Sequence, residues 1–283
     1  MRPRQWIKNG FVLAALIFDR QLGNPDAMSR TLAGFFIFCL ISSAVYLIND
    51  VKDIEADRAH PQKKNRPIAS GVLPVNVAIA TGITLGVVCL VSSFFLSTLF
   101  AVIVILYLTI NVLYSFWLKH VPLVDVLLIS AGFVLRVSAG VSLIVVERFS
   151  PWLFAVTTLI SLFMGFGKRR AELTTLSKGQ ALNHRKVLDG YTIPLLDQLI
   201  TIVSSTTIMA YSLYTFSAVN LPENHSMMLT IPFVLYGIFR YLYLIQVKGA
   251  GGAPEDMLLT DRPLQITVAL YGVSVFLIFY VFS

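Results

Sequence analysis

Long apolar runs separated by short polar connections dominate this chain. Crossing a hydrocarbon core takes about 20 mostly apolar residues. Nine stretches approach that length: residues 6–21, 29–49, 74–96, 99–118, 124–146, 151–167, 193–219, 227–247 and 264–283. The runs are continuous, unlike the short alternating segments of a membrane barrel. The pattern therefore predicts an all-α membrane protein with nine transmembrane helices. The first stretch is short and opens on polar residues, which predicts an oblique entry into the bilayer. Since no connection is long enough to hold a soluble domain, residues 1–283 read as a single transmembrane domain.

The polar connections set an orientation. With the N-terminus in the cytoplasm, the connections after the second, fourth, sixth and eighth spans share its side. Of the 22 Lys and Arg residues, all but Arg20, Arg30, Arg136 and Arg148 then lie on that side. This is the positive-inside bias, and it requires an odd number of spans. Composition agrees: 56% of residues are hydrophobic and 13% charged, about half the charged share of soluble domains. The net charge of +7 is no nucleic-acid signal, because the cations flank apolar runs and read as topology determinants and anion ligands. Cys39 and Cys89 lie inside apolar runs and read as inert thiols. No small-residue cleavage site follows Arg2, Arg4 and Lys8, so a cleavable signal peptide is not expected.

Chemistry concentrates where the second apolar run ends, in residues 49–66. On a continuous helix, with Asn49 at zero, Asp53 falls at about 40°, Asp57 at about 80° and Asp50 at about 100°. All four then share one face. A solvated helix end is the plain alternative. Yet carboxylates at a helix C-terminus oppose the macrodipole, which a bound cation would relieve. Oxygen ligands followed by cations suit Mg²⁺ and a phosphate-rich substrate, since Mg²⁺ uses one or two carboxylates together with substrate phosphates. Lys52, Arg58, Lys63, Lys64 and Arg66 supply the cations, with Pro61 and Pro67 stiffening the loop. Arg58 and Arg66 are the better phosphate ligands because a guanidinium binds bidentately.

A second basic cluster, Lys168, Arg169 and Arg170 with Glu172, follows MGFGK at the end of the sixth run. Positive-inside anchoring explains it equally well. Asp189 and Tyr191 follow as polar partners. The two long charged connections stand four spans apart, a pattern for two hairpins delivering polar residues to one cavity mouth, although the halves share little residue similarity. Within the fifth run, Asp125 and Arg136 are 11 residues apart, about 16 Å of helical rise, so each needs a partner on another span. In RPRQWIKN, Lys8 and Asn9 follow Arg4 by about a turn, and Trp6 reads as an interfacial anchor. Asp261 beside Pro263 reads as an N-cap. His60, His120, His184 and His225 have no zinc-type spacing, and no serine or cysteine nucleophile constellation appears.

The stretch NDVKDIEAD (residues 49–57) followed by RPIASG (66–71) resembles the aspartate-rich motif of the UbiA superfamily of intramembrane prenyltransferases. That resemblance implies nine helices bundled around a lipid-accessible cavity, with the motif ending the second helix and binding Mg²⁺ and a donor diphosphate. One departure matters. Where such proteins carry a second motif of the form DxxxD, this chain reads KRRAEL, and its later aspartates Asp189 and Asp197 are eight apart. With RPRQWIKN and LLTDRPL, this pattern is similar to the decaprenyl-phosphate phosphoribosyltransferase branch of the superfamily, along nearly the whole chain.

The branch resemblance implies a Mg²⁺-dependent transfer from phosphoribosyl pyrophosphate to a polyprenyl phosphate, in the service of cell-wall precursors, at the cytoplasmic face of a prokaryotic inner membrane. Asp50, Asp53 and Asp57 are then the expected catalytic residues. Asn49, Asp53 and Asp57 are the expected metal ligands. Lys8, Asn49, Arg58, Lys63, Arg66, Lys168, Arg169, Arg170 and Tyr191 are the expected substrate contacts. Two other readings compete. A true prenyltransferase would consume a prenyl diphosphate and want a second metal site. A transporter of an anionic solute would want broken, polar segments at mid-membrane, whereas here the polar residues gather at one side.

Overall fold

The structure is a computed structural model describing residues 3–59, 63–145, 151–177, 186–218, 221–249 and 254–282. Pro61 and residues 178–185 of the connection after the sixth run lie outside the described residues. Secondary structure among the described residues is helical: α1 (Ala14–Phe18), α2 (Pro25–Lys52), α3 (Ile54–Ala59), α4 (Val75–Leu96), α5 (Thr98–Phe116), α6 (Val124–Val141), α7 (Pro151–Ser177), α8 (Ile193–Ser217), α9 (Ile231–Gln246), α10 (Pro254–Thr260) and α11 (Arg262–Tyr280). Eight of the helices are long and apolar enough to cross a membrane, α9 counting with the 3-10 turn Ser226–Thr230 before it.

The ninth expected span is a shorter apolar helix, Gln5–Phe18. It begins as a 3-10 helix, Pro3–Leu13, and continues as α1. A 3-10 helix rises about 2.0 Å per residue against about 1.5 Å in an α-helix. Eleven residues of the first and five of the second therefore reach about 30 Å, the thickness of a hydrocarbon core. The stretched geometry compensates for a run that is short in residues.

Helix ends follow local rules. The Asn24 side chain accepts from the amides of Asp26 and Ala27 and caps α2, with Pro25 in the first helical position. Ser97 and Thr192 cap α5 and α8. Arg30, on the side that carries few cations, donates from Nη2 to the Leu96 carbonyl at 2.6 Å and so caps the C-terminus of α4.

By contacts the chain divides into two compact units. One holds Met1–Lys119 with Gly132–Val146, and the other His120–Ala131 with Glu147–Ser283; α6 passes from the second to the first at Ala131–Gly132. In the first unit, α2 packs on α4 and α5, around Phe38, Ile41, Cys89, Phe100 and Val104. In the second, α7 packs on α8, around Phe163, Phe166, Leu196 and Ile200. Ile83, Val87, Val91 and Phe95 of α4 remain exposed at four-residue intervals, an apolar stripe for lipid.

Glycines set the closest approaches. A Cβ on Gly165 would stand 2.6 Å from Val126 Cγ1, and one on Gly167 would stand 2.7 Å from Ile245 Cδ1 and 3.1 Å from the Tyr241 ring. The glycines of MGFGK thus let α6 and α9 press against α7 at its basic end. In the first unit, a Cβ on Gly140 would stand 2.0 Å from the Val12 carbonyl oxygen. Backbone cannot yield there as a flexible side chain would. Gly140→Ala should therefore cost about 1–3 kcal/mol and lower the thermal midpoint in detergent. Gly86→Ala, with nothing within 4 Å of the added atom, should be neutral or slightly stabilising in the same melt.

Candidate active site

The acidic stretch does not lie on one continuous helix. α2 ends at Lys52, and Asp53 is its C-cap with φ −92° and ψ 14°. This is the sparsely allowed bridge region, so the 100° arithmetic stops at that residue. The hydrogen-bond ladder nevertheless runs through the break. The Asp53 amide donates to the Asn49 carbonyl at 2.9 Å, and the Asp57 amide to the Asp53 carbonyl at 2.8 Å. Asn49, Asp53 and Asp57 therefore stay one turn apart despite the change of helix.

Arg66 gathers the carboxylates. Its Nη1 donates to Asp57 Oδ2 at 2.5 Å and to Asp50 Oδ1 at 3.1 Å. The loop carrying Arg66 is anchored by buried Ile68 and Ala69, with Ile68 packing beside Leu47 and Ala78. Gly71 closes the loop at φ +83°, where a side chain would be strained. Arg58 Nε donates to the Ala69 carbonyl at 3.0 Å and braces the loop from the other side. The segment RPIASG thus works as a unit: apolar residues seat it, glycine turns it, and its arginine reaches the aspartates.

Asp53, more exposed than Asp50 and Asp57, accepts from Lys119 Nζ at 3.1 Å. Lys52 Nζ donates to the Ser115 carbonyl at 2.5 Å and sits 3.8 Å from the centre of the Phe116 ring. The end of α5 thereby contributes to the same region. Lys119 was not among the expected site residues; only its position at the inner end of the fourth run hinted at it.

The donor set fits Mg²⁺. Among the described residues Asn49 Oδ1 is buried with no hydrogen-bond partner, and it stands one turn before Asp53. Among the described residues no three Asp, Glu, His or Cys side chains gather into a metal cluster.

In the second unit the basic cluster is largely neutralised. Arg169 is 1% exposed. Its Nε donates to Asp125 Oδ2 at 2.6 Å and its Nη1 to Glu172 Oε2 at 2.6 Å. Arg170 Nε donates to Asp197 Oδ1 at 2.5 Å. Tyr191 is buried; its hydroxyl donates to Asp125 Oδ1 at 2.6 Å and accepts from the Leu123 amide at 2.6 Å. Burial first, then the Asp125 carboxylate, push the Tyr191 phenol well above its ordinary value. It therefore stays protonated and donating across the physiological range. Leu123, held by that hydroxyl, has φ +66°, and Pro122 packs where a Cβ on Gly190 would stand. The network clamps the chain as it enters α6.

Asp125 and Arg136 both find partners on other helices. Asp125 has Arg169 and Tyr191, while Arg136 donates to Asn9 Oδ1 at 2.8 Å, to the Tyr107 hydroxyl at 2.9 Å and to the Gly132 carbonyl at 2.7 Å. Asp261 is an N-cap as expected, accepting from the Leu264 amide, and it also binds Arg240 through both oxygens. Arg240 holds the Asp261 carboxyl below its ordinary value. The cap's contribution to stability is therefore present above the ordinary carboxylate range and lost only as pH falls through the depressed value. Lys8, Lys63 and Lys168 are each engaged in an interaction of their own.

Residues 10–253 match the UbiA prenyltransferase family. A decaprenyl-phosphate phosphoribosyltransferase of Mycolicibacterium smegmatis is 36% identical over 277 residues, covering 94% of this chain and 86% of that protein. One from Corynebacterium glutamicum is 35% identical over 277 residues, covering 94% of this chain and 81% of that protein. In fold, the chain resembles a solved UbiA homolog from Archaeoglobus fulgidus bound to DMAPP and Mg²⁺, with a TM-score of 0.74, 17% identity, and coverage of 99% of this chain and 97% of that one.

The buried pair separates a structural arginine from a substrate ligand. Arg169→Met strands the Asp125 carboxylate and should cost about 3–5 kcal/mol. Asp125→Leu combined with Arg169→Met removes both charges and should recover most of that loss. Thermal melts of the purified variants in detergent measure both.

Proposed function

The chain belongs to the UbiA prenyltransferase family, and on that footing we propose that it transfers the 5-phosphoribosyl group of phosphoribosyl pyrophosphate to a polyprenyl phosphate of the decaprenyl type. The observation that carries this reading is the match, over 94% of the chain, to proteins named for decaprenyl-phosphate phosphoribosyl transfer. The structure supports it locally. In the KRRAEL stretch the one carboxylate, Glu172, is engaged by Arg169, so this stretch offers no pair of free carboxylates for a second metal ion.

In this reaction an oxygen of the acceptor phosphate bonds to C1 of the ribose as the bond from C1 to the pyrophosphate oxygen breaks. Pyrophosphate leaves with the electron pair. The acceptor is already anionic, so no strong general base is needed. Asn49, Asp53 and Asp57 would hold Mg²⁺, which when bound neutralises charge on the leaving pyrophosphate. Arg66, fixed by Asp50 and Asp57, presents its remaining N–H groups to phosphate oxygens. Lys8, Arg58 and Lys63 supply further positive charge in the first unit. The aspartates also favour the positive charge that develops on the ribose as C1 loses its leaving group.

The cations of the second unit add little to this scheme, because Arg170 is held by Asp197 and Lys168 has partners of its own. Arg169 and Tyr191, both buried, serve the scheme by holding the start of α6 and the basic end of α7 in place. The orientation that suits soluble donors puts the N-terminus, the acidic stretch and the basic connections at the cytoplasmic face of a prokaryotic inner membrane, as the positive-inside bias favours.

The test is one incubation of purified chain with decaprenyl phosphate and Mg²⁺, given either phosphoribosyl pyrophosphate or geranyl diphosphate. Pyrophosphate release and a phosphoribosylated lipid are expected with the first donor alone. Release with the prenyl donor only would reverse the assignment. Asp53→Asn should lower turnover by about a hundredfold. Its side chain is 38% exposed, so folding should survive the change. Unchanged turnover and Mg²⁺ dependence in that variant would remove Asp53 from the metal site.

A further inference from the structure

A buried polar seam in the first unit takes no part in the scheme above. Its centre is Asn9, fully buried on the N-terminal 3-10 helix. Asn9 Oδ1 accepts from Arg136 Nε of α6 at 2.8 Å. Its Nδ2 donates to Ser42 Oγ of α2 at 3.2 Å and lies 3.4 Å from Cys39 Sγ. One 3-10 turn earlier, Trp6 Nε1 donates to Ser43 Oγ at 3.2 Å. Arg136 is 6% exposed, and its three hydrogen bonds all end on neutral oxygens. The rings of Tyr107 and Phe133 lie 4.9 and 5.5 Å from its guanidinium carbon. Such a cation is costly inside a membrane bundle, so its presence calls for a task.

The task follows from register. Arg136 meets Asn9, and Gly140 meets the Val12 carbonyl. Four residues of α-helix rise about 6 Å, as do three residues of 3-10 helix. The two contacts therefore lock the N-terminal helix to α6 at points one turn apart on each. A 3-10 helix turns about 120° per residue, so a one-residue slip would swing Lys8 by about 120° and shift it by about 2 Å. Through Ser42 and Cys39 the same seam ties that register to α2, the helix that ends in Asn49 and Asp50.

We propose that Arg136 is a positioning residue for Lys8, acting through Asn9 to set the register of the N-terminal helix against the helix that carries the acidic motif. The inference rests on the phosphoribosyl-transfer reading for the role of Lys8. The geometry of the latch stands apart from it.

The experiment uses the full chain in detergent with a Cys89→Ser background, leaving Cys39 as the single thiol. Kinetics with phosphoribosyl pyrophosphate and decaprenyl phosphate are measured beside the rate of Cys39 alkylation by a maleimide. Lys8→Met and Arg136→Met should each raise KM for phosphoribosyl pyrophosphate about tenfold with a smaller change in kcat. In the double variant KM should rise no further than in the worse single variant, because Arg136 acts through Lys8. Asn9→Leu should behave like Arg136→Met. Asn9→Asp, which keeps an acceptor for Arg136 but loses the donor to Ser42, should fall between wild type and Asn9→Leu. Alkylation should accelerate in Arg136→Met and Asn9→Leu and not in Lys8→Met. Arg136→Lys keeps the buried charge and loses the branched donor set, so it serves if the methionine variant fails to fold.

Multiplicative KM penalties in the double variant, or an unchanged KM beside accelerated alkylation, would overturn the positioning role. Unaltered alkylation in both latch variants would overturn the latch. A wild-type chain without turnover on this donor pair would instead overturn the functional reading and the Lys8 assignment with it, while the alkylation rates still decide the latch.

Discussion

A charge inside a membrane-spanning bundle must bring its partners with it, because lipid tails supply none. That constraint shapes both units of this chain. Arg169 binds Asp125 from a helix 44 residues earlier in sequence, and Arg136 binds Asn9 across 127 residues. Each contact joins segments that hydrophobic packing alone would leave free to slide. Apolar side chains fill the space between helices, but their contacts tolerate small shifts of register. A hydrogen-bonded guanidinium does not, because losing one partner leaves a buried group unsatisfied. The buried polar contacts are therefore better understood as register pins than as sources of net stability.

The same constraint changes how the basic clusters read. Counting cations along the chain makes 168–170 look like an anion site. In the fold, Asp125, Glu172 and Asp197 meet Arg169 and Arg170, so little surplus positive charge is left in that cluster. The acidic stretch behaves differently. Arg66 joins buried Asp57 to the partly open Asp50, Lys119 meets the still more open Asp53, and among the described residues the buried amide oxygen of Asn49 has no hydrogen-bond partner. The donor proposed for this stretch, multiply charged, would need partners that can be exchanged in this way. Fully buried pairs such as Arg169 and Asp125 hold architecture instead. Burial, more than charge count, separates the two roles.

Much of this was legible in the residues themselves. Run length and continuity predicted the spans, eight long apolar helices and one shorter among the described residues, and Pro263 beside Asp261 predicted a cap that the structure contains. The need of Asp125 and Arg136 for partners on other spans followed from burial and rise alone. The identities of those partners did not. Arg169 is separated from Asp125 by 44 residues and Asp197 from Arg170 by 27, so no local periodicity connects them. The break at Asp53 was hidden for another reason: residues 49–57 have no proline or glycine to mark it, and the ladder through Asn49, Asp53 and Asp57 conceals the change of helix. The pairing of Gly165 with Val126 was likewise invisible, because a glycine in a helix shows its purpose only when the neighbouring helix is in place.

The N-terminal segment shows how these levels meet. By length it falls short of a span, and by composition it opens on polar residues. Extending as a 3-10 helix restores the reach, yet that helix is a poor one on its own, with eclipsed side chains and weaker hydrogen bonds. Its geometry has to be held from outside. Gly140 admits the Val12 carbonyl, Phe133 packs edge-on against Phe11 at 5.1 Å, and Asn9 takes the hydrogen bond of Arg136. A residue-short, stretched helix can persist where its neighbours hold it, and α6 does so through Phe133, Arg136 and Gly140. The polar residues that made the segment look like a weak span are therefore the ones that make it possible: Trp6 and Asn9 reach α2 while Asn9 also holds α6, and Lys8 is carried between them.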